Sequence, residues 1–294
     1  MGHKARNRAA AVILSIGVIA GATGCVSQSA SPAHTGSTGL PKEIKDRGTL
    51  VIGSELSTPP IGFRGPDGKT VQGFNIDLAR ALGKKLDIKV TFQQYSFDGL
   101  VPAVRAGKVD AAMDLINDTP ERRKSVDFVD YLGNGTTMLL KKGNPEHVAT
   151  IEDLCGKGVA VVRGSVQVQL ATDQSARCVK DGKKKIDVKQ YAMPPDARLQ
   201  VQTGKLAAFL GNTPVMLYLA RTAGDGKVFE TANSQRYQKD PIGMLFAKGD
   251  TQLRDTVRAG LTKLWADGTY RTIAAKYGLS SLVLKEPTVG STTT

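Results

Sequence analysis

The chain has 294 residues, of which 40% are hydrophobic, and a formal net charge of +13 at pH 7. This length and composition favour a globular protein whose core is large enough for two lobes. The basic residues are scattered and only 5% of all residues are aromatic, so the stacking surfaces of single-strand-binding proteins are missing. We therefore expect no nucleic-acid partner.

The first 24 residues have the composition of a bacterial export signal. Three basic residues precede an uncharged apolar run over residues 9–22, which is shorter than the roughly 20 residues of a transmembrane helix. The small residues that lead directly into Cys25 resemble a lipobox, which implies that Cys25 carries the lipid anchor of the mature protein. An ordinary signal peptide with an incidental cysteine is the alternative.

Both ends of the remaining chain are rich in Ser, Thr, Gly and Pro. Residues 25–43 lack an apolar period and are expected to form a flexible tether that holds the protein away from a membrane. Residues 285–294 are expected to be a disordered tail. The folded body should then extend from residue 44 to residue 284.

Strand and helix patterns alternate along the first part of the body. Residues 49–53 form an apolar run that predicts a buried strand, and Asp67-Gly68 predicts a hairpin turn. Residues 75–86 place apolar side chains on one helical face, with Asn75 as the expected N-cap. The elements that follow are, in order, a strand (88–93), a helix (100–106) and a strand (109–113). This alternation predicts an α/β sheet rich in parallel strands.

The same alternation begins again after residue 140 and predicts a second lobe. Its helices are expected after the Gly164-Ser165 turn and over residues 196–203, and its strands at 159–162, 186–191 and 207–210. A strand near 242–248 and two helices separated at Asp267-Gly268 are expected to return to the first lobe. The predicted lobes, joined by two crossings that form a hinge, are 44–134 plus 240–284 (first lobe) and 135–239 (second lobe).

Two cysteines remain in the body, Cys155 and Cys178. In an exported chain such a pair favours a disulfide bond, which would contribute roughly 3 kcal/mol by closing the loop between them. Two separate buried thiols are the alternative. Because His147 is the single histidine of the body, we predict no metal site and no His-dependent catalytic triad, and we expect no cofactor.

Ordered sequence blocks along nearly the whole body resemble one family, the extracytoplasmic solute-binding proteins of family 3, which serve ABC importers. The blocks are GSELSTPPIGF, VQGFNIDLARAL, FDGLVPAVRAGKVDAAM, TPERRKSVDF, EDLCGKGVAVVRGS, GKLAAFLGNTPV and LWADGTYRTIAAKYG. The resemblance implies a two-lobed α/β fold of the type II periplasmic-binding-protein kind. In that family the lobes close over a small-molecule ligand, and a membrane permease recognises the closed form.

By position in these blocks, the resemblance implies that Arg122 binds the α-carboxylate of an amino-acid ligand. Its planar guanidinium offers two hydrogen bonds at the start of a helix, where backbone N–H groups are also free. Asn117 and the backbone near Leu115 would supply further polar contacts, and Ser165 would reach the same carboxylate from the second lobe. A surface ion pair between Arg122 and a neighbouring carboxylate is the alternative.

Several positions depart from the family pattern. Where the family commonly has an aspartate that pairs with the ligand's α-ammonium, this chain has Asn212, an amide without charge. Asp114 and Glu55 lie in ligand-facing segments and could restore the missing negative charge, but carboxylates that face water or satisfy backbone N–H groups are an equal alternative. Thr58 lies where an aromatic ring is often found. Phe97 is expected either to line the pocket or to pack in the core.

These features favour a noncatalytic binding lipoprotein that delivers a polar amino acid, or a related small amphoteric solute, to an ABC importer. We expect it to be a monomer anchored outside the cytoplasmic membrane. A cyclohexadienyl dehydratase-like enzyme on the same scaffold, with Glu55 or Asp114 as acid or base, is one alternative. A ligand-sensing partner of a membrane receptor is the other, and it shares every sequence feature used above.

Overall fold

The computed structural model describes residues 39–232 and 236–290. The predicted export signal, the lipidation site Cys25 and most of the predicted tether lie outside these ranges, as do residues 291–294. The folded body starts earlier than the predicted residue 44. Helix α1 (Lys42–Arg47) already packs there, and Gly39 O accepts hydrogen bonds from Gln252 Nε2 and Thr256 Oγ1 at 3.2 and 2.8 Å.

The first stretch of the first lobe alternates strands with helices. Leu50 and Ile52 have no exposed surface, because their strand lies inside a sheet with a neighbour on each side. After α1 the elements are β1 (Thr49–Ser54), β2 (Ser57–Thr58), β3 (Gly62–Arg64), β4 (Val71–Gln72), α2 (Phe74–Leu86), β5 (Lys89–Gln94), α3 (Leu100–Arg105), β6 (Ala111–Ala112), α4 (Pro120–Arg123) and β7 (Val126–Leu132).

Two local predictions in this stretch have different outcomes. The hairpin turn at Asp67-Gly68 is confirmed, since it joins the antiparallel strands β3 and β4. Asn75 is not the N-cap of α2; that position is Gly73. Asn75 is fully buried instead, and its Oδ1 accepts a hydrogen bond from the Tyr131 hydroxyl at 3.1 Å.

The second lobe repeats the alternation between residues 136 and 231. The last helix of this lobe (Thr213–Thr222) begins directly after a strand (Ala208–Asn212). The backbone of Asn212 therefore lies at the carboxyl end of that strand. The elements are β8 (Thr136–Lys141), β9 (Gly158–Val162), α5 (Val166–Lys180), β10 (Asp187–Tyr191), α6 (Pro194–Gln202), β11 (Ala208–Asn212), α7 (Thr213–Thr222) and β12 (Phe229–Thr231).

The C-terminal stretch returns to the first lobe and ends in a strand that the sequence did not predict. Its elements are β13 (Ile242–Ala247), α8 (Thr251–Ala266), α9 (Thr269–Lys276) and β14 (Thr288–Val289). β14 lies within the segment predicted as a disordered tail, which is wrong for residues 285–290. Its β-branched residues pair antiparallel with β7 and cover an edge of the sheet that would otherwise be open.

The strands form two main sheets and one small antiparallel sheet. The larger main sheet has the order β14-β7-β13-β6-β1-β5, the smaller has the order β10-β9-β11-β8-β12, and the third is β2-β3-β4. β1 runs parallel to β5 and β6, and β9 runs parallel to β10 and β11. Ligands of such sheets bind in the crevice outside the carboxyl ends of the parallel strands. The loops after β1, β6, β9 and β11 are therefore placed for binding.

Cys155 and Cys178 form a disulfide bond, with their Cα atoms 5.6 Å apart. This confirms the predicted pairing and excludes two separate thiols. Cys178 lies near the C-terminal end of α5, so the bond ties that helix to the segment before β9. The disulfide therefore cross-links the second lobe through α5, the helix whose N-terminus lies at the crevice.

Candidate functional site

A cavity of about 40 Å³ lies between the two lobes. Seven of the nine residues that the sequence predicted for ligand binding line this cavity. Most of them follow the carboxyl ends of β1, β6, β9 and β11, which agrees with the general position of ligand sites in α/β sheets. The seven residues are Glu55, Thr58, Phe97, Asp114, Leu115, Ser165 and Asn212.

Asp114 is a buried carboxylate whose oxygens are occupied by donors of the protein itself. Ser54 Oγ and Glu55 N each donate to Oδ2 at 2.8 Å, and Leu115 N donates to Oδ1 at 2.8 Å. Burial raises the pKa of Asp114, and these three hydrogen bonds oppose the rise. Asp114 therefore accepts hydrogen bonds from backbone N–H groups, which is the alternative role predicted for it. It also lines the cavity.

Glu55 is buried beside Asp114 but is bonded differently. Only 2% of its surface is exposed. The Thr58 hydroxyl donates to Oε2 at 3.1 Å, whereas Oε1 has no hydrogen-bond partner among the residues that the structure describes. Burial, followed by the charge of Asp114, raises the pKa of Glu55 to about 9, so this carboxyl holds a proton at neutral pH.

Arg122 lies beside the cavity and connects the lobes, and it does not line the wall. Its Nη1 donates to Asn117 O at 2.8 Å, and its Nη2 donates to Gly164 O, in the second lobe, at 2.8 Å. The guanidinium carbon lies 5.7 Å from the centre of the Phe97 ring, within the range of a cation–π contact. Burial lowers the pKa of Arg122 to about 10, which leaves it charged at neutral pH.

The side chain of Arg122 is held by a short helix rather than by a long one. Helix α4 has four residues, and the Thr119 hydroxyl caps it by accepting a hydrogen bond from Arg122 N at 3.3 Å. The ion pair predicted as the alternative is not what holds Arg122, because its guanidinium hydrogen-bonds to two backbone carbonyls. Asn117, which also lies outside the wall, donates its Nδ2 to Asp240 O at 3.2 Å.

The lobes approach each other closely at Gly164. This residue has φ +74°, and a Cβ placed there would lie 3.0 Å from Asp98 Cβ of the first lobe. Glycine is therefore suited both to the backbone conformation and to the close approach. Arg163 Nη1 and Asp98 Oδ2, 3.5 Å apart, form an ion pair between the lobes beside this contact.

The second-lobe wall carries hydroxyl and amide groups. Ser165 Oγ is buried and has no hydrogen-bond partner in the described ranges. Asn212 Oδ1 accepts a hydrogen bond from Asn134 Nδ2 at 2.6 Å, and Gln167 Nε2 donates to Thr136 Oγ1 at 2.8 Å. Gln167 was not predicted, although a polar residue in the first turn after Ser165 is a signal that could have found it.

Most of the other lining residues that the sequence did not indicate are apolar. Phe209 supplies an aromatic side chain to the second-lobe wall, whereas Thr58, in β2, lies on the first-lobe wall. Phe97 is 8% exposed, belongs to a core cluster and also lines the cavity. The remaining apolar side chains of the wall are Val162, Pro194, Leu210, Val215 and Met216.

A larger groove, of about 510 Å³, lies on another face of α7. Pro214, Leu217, Tyr218 and Arg221 line it at helical spacing, whereas Val215 and Met216 of the same helix line the small cavity. None of the nine predicted residues lies in the groove. We assign the site to the smaller cavity, because that is where the polar groups of both lobes converge.

Two further findings bound the chemistry of the part of the chain that the structure describes. In these ranges no three or more His, Cys, Asp or Glu side chains are grouped so as to hold a metal ion. None of the helices in the same ranges combines the length and the apolar character needed to cross a bilayer.

Known proteins resemble this chain over most of its length. The family model described as bacterial extracellular solute-binding proteins, family 3, matches residues 50–280. The L-arginine-binding protein of Pseudomonas aeruginosa is 30% identical over 230 residues, which cover 77% of this chain and 86% of that protein. The L-cystine-binding protein of Escherichia coli (strain K12) is 27% identical over 240 residues, which cover 81% of this chain and 86% of that protein.

The architecture is also shared with a solved structure. The ancestral amino acid-binding protein AncCDT-1, described as a precursor of cyclohexadienyl dehydratase, is 33% identical. It aligns with a TM-score of 0.71 over 80% of this chain and 97% of its own. The predicted two-lobed α/β fold is confirmed. With a family model matched over residues 50–280, the chain belongs to the bacterial extracellular solute-binding proteins of family 3.

Proposed function

We propose that this protein is the extracytoplasmic substrate-binding component of an ABC importer, and that it binds a polar amino acid or related small amphoteric solute between its lobes. The observation that carries the proposal is the convergence of polar groups from both lobes on one interlobe cavity. Membership of the family and the amino-acid-binding names of its relatives support the same class.

The ionisable groups around the cavity suit a ligand that carries both a positive and a negative charge. Arg122 lies at one side with two hydrogen bonds to carbonyl oxygens, which a ligand carboxylate would replace as a stronger acceptor. Glu55 and Asp114 lie in the wall, where an amine or guanidinium would meet them. A space of about 40 Å³ holds no more than a few waters, so an amino acid would enter after the lobes part and would be enclosed as they close.

The proposed function also includes delivery of the ligand to a membrane permease and a lipid anchor that holds the protein at the membrane. Lobe closure would turn ligand binding into a shape that a permease recognises. Lipidation at Cys25 would keep the monomeric protein at the outer face of the membrane, near that permease. In this proposed function the protein catalyses no reaction and acts only by binding its ligand.

A ligand screen tests the proposal. Isothermal titration calorimetry of the purified protein should detect micromolar or tighter binding of at least one of L-arginine, L-histidine, L-cystine, the other polar amino acids, betaines and small amines. Mass spectrometry of the solute that co-purifies with the protein provides an independent identification. Absence of both a binding signal and a co-purified solute would refute the proposed function.

A dehydratase activity is the second candidate. Its support is the buried carboxyl of Glu55, which holds a proton at neutral pH as a general acid would, and the resemblance to a precursor of cyclohexadienyl dehydratase. The purified protein should leave prephenate and arogenate unchanged. Turnover that is lost in Glu55→Gln would favour the enzyme over the binding protein.

A further inference from the structure

The two carboxyl groups of the cavity wall differ in how much of their hydrogen-bonding capacity is free. Asp114 accepts three hydrogen bonds from Ser54, Glu55 and Leu115, at 2.8 Å each. Glu55 is bonded only through Oε2, and its Oε1 is buried without a partner in the described part of the chain. A buried polar atom in this state costs free energy, and the cost is removed when a donor binds there.

We propose that binding at this site is an exchange in which a cationic group of the ligand enters beside Glu55 Oε1 and the carboxyl proton of Glu55 leaves to the solvent. Asp114 is the fixed carboxylate that positions the Glu55 backbone, and Glu55 is the residue that selects a cation-bearing solute. The inference rests on the proposed function and names the ligand class and the proton linkage of the same site.

Charge balance around Glu55 supports the exchange. Among the described residues that line the cavity, Glu55 and Asp114 are the only carboxylic acids, and none is a cation. Asp98, from the short 3-10 helix Phe97–Gly99, also raises the pKa of Glu55, but it is partly neutralised by Arg163 at 3.5 Å. Arg122 lies behind the Phe97 ring and hydrogen-bonds to carbonyl oxygens.

The described second-lobe residues that line the cavity include no carboxylate that would compete for the incoming cation. Asn212, where the family commonly has an aspartate, is a neutral amide whose Oδ1 is already bonded to Asn134. Two neighbouring buried carboxyls, of which one is fixed by three donors, share their site most easily when the other is protonated. A ligand ammonium or guanidinium supplies the positive charge that the proton supplied, so the proton is released and no other group changes its charge.

Calorimetry measures the exchange directly. L-Arginine, L-histidine and L-cystine should each be titrated at pH 7 in phosphate and in Tris, whose ionisation enthalpies differ. The probe that binds should release about one proton per ligand, and its affinity should rise about tenfold per pH unit between pH 6 and 8, since one proton is exchanged. In Glu55→Gln the release and the pH dependence should both disappear.

A matched control variant tests whether the released proton comes from Glu55 or from another nearby carboxyl group. Asp98→Asn removes a carboxyl that lies outside the cavity wall, and it should leave proton release close to the wild-type value. Binding without proton release, or release that survives in Glu55→Gln, would overturn this inference while leaving the proposed function in place. Absence of binding by every probe would overturn both.

Discussion

Compared with the second-lobe wall of the cavity, the first-lobe wall carries both carboxyl groups found among the described lining residues. Glu55 and Asp114 belong to the first lobe, whereas the second lobe presents Ser165, Gln167, Asn212 and apolar side chains. Under the proposed function, recognition of a positively charged ligand group is therefore concentrated on the first-lobe wall. The other wall provides shape and neutral hydrogen bonds, which fits a lobe that closes over a ligand already bound to its partner.

The walls also differ in how they are fixed. The first-lobe wall is held by hydrogen bonds to a buried carboxylate, Asp114, between the ends of β1 and β6. In the second lobe a disulfide ties α5, and Ser165 is the N-cap of that helix. The stability of the first-lobe wall should therefore depend on pH, and that of the second-lobe wall on whether its disulfide is reduced.

The largest expected effect concerns the pH dependence of the ligand-free protein. Burial raises the pKa of Glu55 from an ordinary value of 4.5 to about 9, so the folded state binds a proton that the unfolded state releases between these values. Glu55 therefore leaves the free energy of unfolding unchanged below pH 4.5 and lowers it as the pH rises from 4.5 towards 9. One such group lowers the free energy of unfolding by about 1.4 kcal/mol per pH unit, or about 4 kcal/mol from pH 5 to pH 8.

Urea denaturation at pH 5, 6, 7 and 8 measures this slope. Glu55→Gln keeps the size of the side chain and should flatten the slope, so that the variant is more stable than the wild type at pH 8. Asp98→Asn, in the same lobe but outside the cavity wall, should keep the wild-type slope. Parallel slopes for wild type and Glu55→Gln would show that Glu55 is ionised in the folded state.

The second-lobe wall should respond most to loss of its cross-link. Replacing both Cys155 and Cys178 by Ser frees a loop with a sequence separation of 23, which should lower the free energy of unfolding by about 3 kcal/mol. Equilibrium urea denaturation of the double variant provides the measurement. The wild type in dithiothreitol serves as a control and should shift by the same amount. An unchanged urea midpoint would contradict the prediction.

The sequence predicted the cavity well where polar residues follow strands. Glu55, Asp114 and Asn212 each lie at or just beyond the carboxyl end of a strand, and alternating strands and helices indicate those ends without a structure. Phe209 and Met216 could not be assigned in this way, because an apolar residue near the end of a strand or the start of a helix looks the same whether it packs in a core or lines a cavity.

The roles of the two carboxyls could not be separated from the sequence. Both are acidic residues after a strand, and the difference depends on three donors that folding brings to Asp114 and on the single donor that reaches Glu55. The strand β14 was missed for a related reason. Two β-branched residues in a polar tail carry little pattern, and their strand forms because the edge of β7 is available.

Arg122 should matter more for binding than for folding. Charge-assisted hydrogen bonds contribute about 1.5–3 kcal/mol, so Arg122→Ala should weaken binding of a carboxylate ligand by about 30-fold with little change in urea midpoint. Calorimetry with the ligand found in the screen provides the measurement. Arg122→Lys tests the planar fork and should bind weakly as well. Unchanged affinity in Arg122→Ala would mean that Arg122 only bridges Asn117 and Gly164.

The smallest expected effect separates ligand recognition from contact between the lobes. Arg163 and Asp98 form an interlobe ion pair at 3.5 Å, and the Arg163 side chain is 55% exposed. Exposed ion pairs contribute less than about 1 kcal/mol, so Arg163→Ala should weaken ligand binding by less than about fivefold. The residual effect should shrink further in 0.5 M salt, because salt screens exposed charges. If Arg163→Ala lost as much affinity as Arg122→Ala, the interlobe contacts would determine affinity, and the first-lobe wall would no longer account for it.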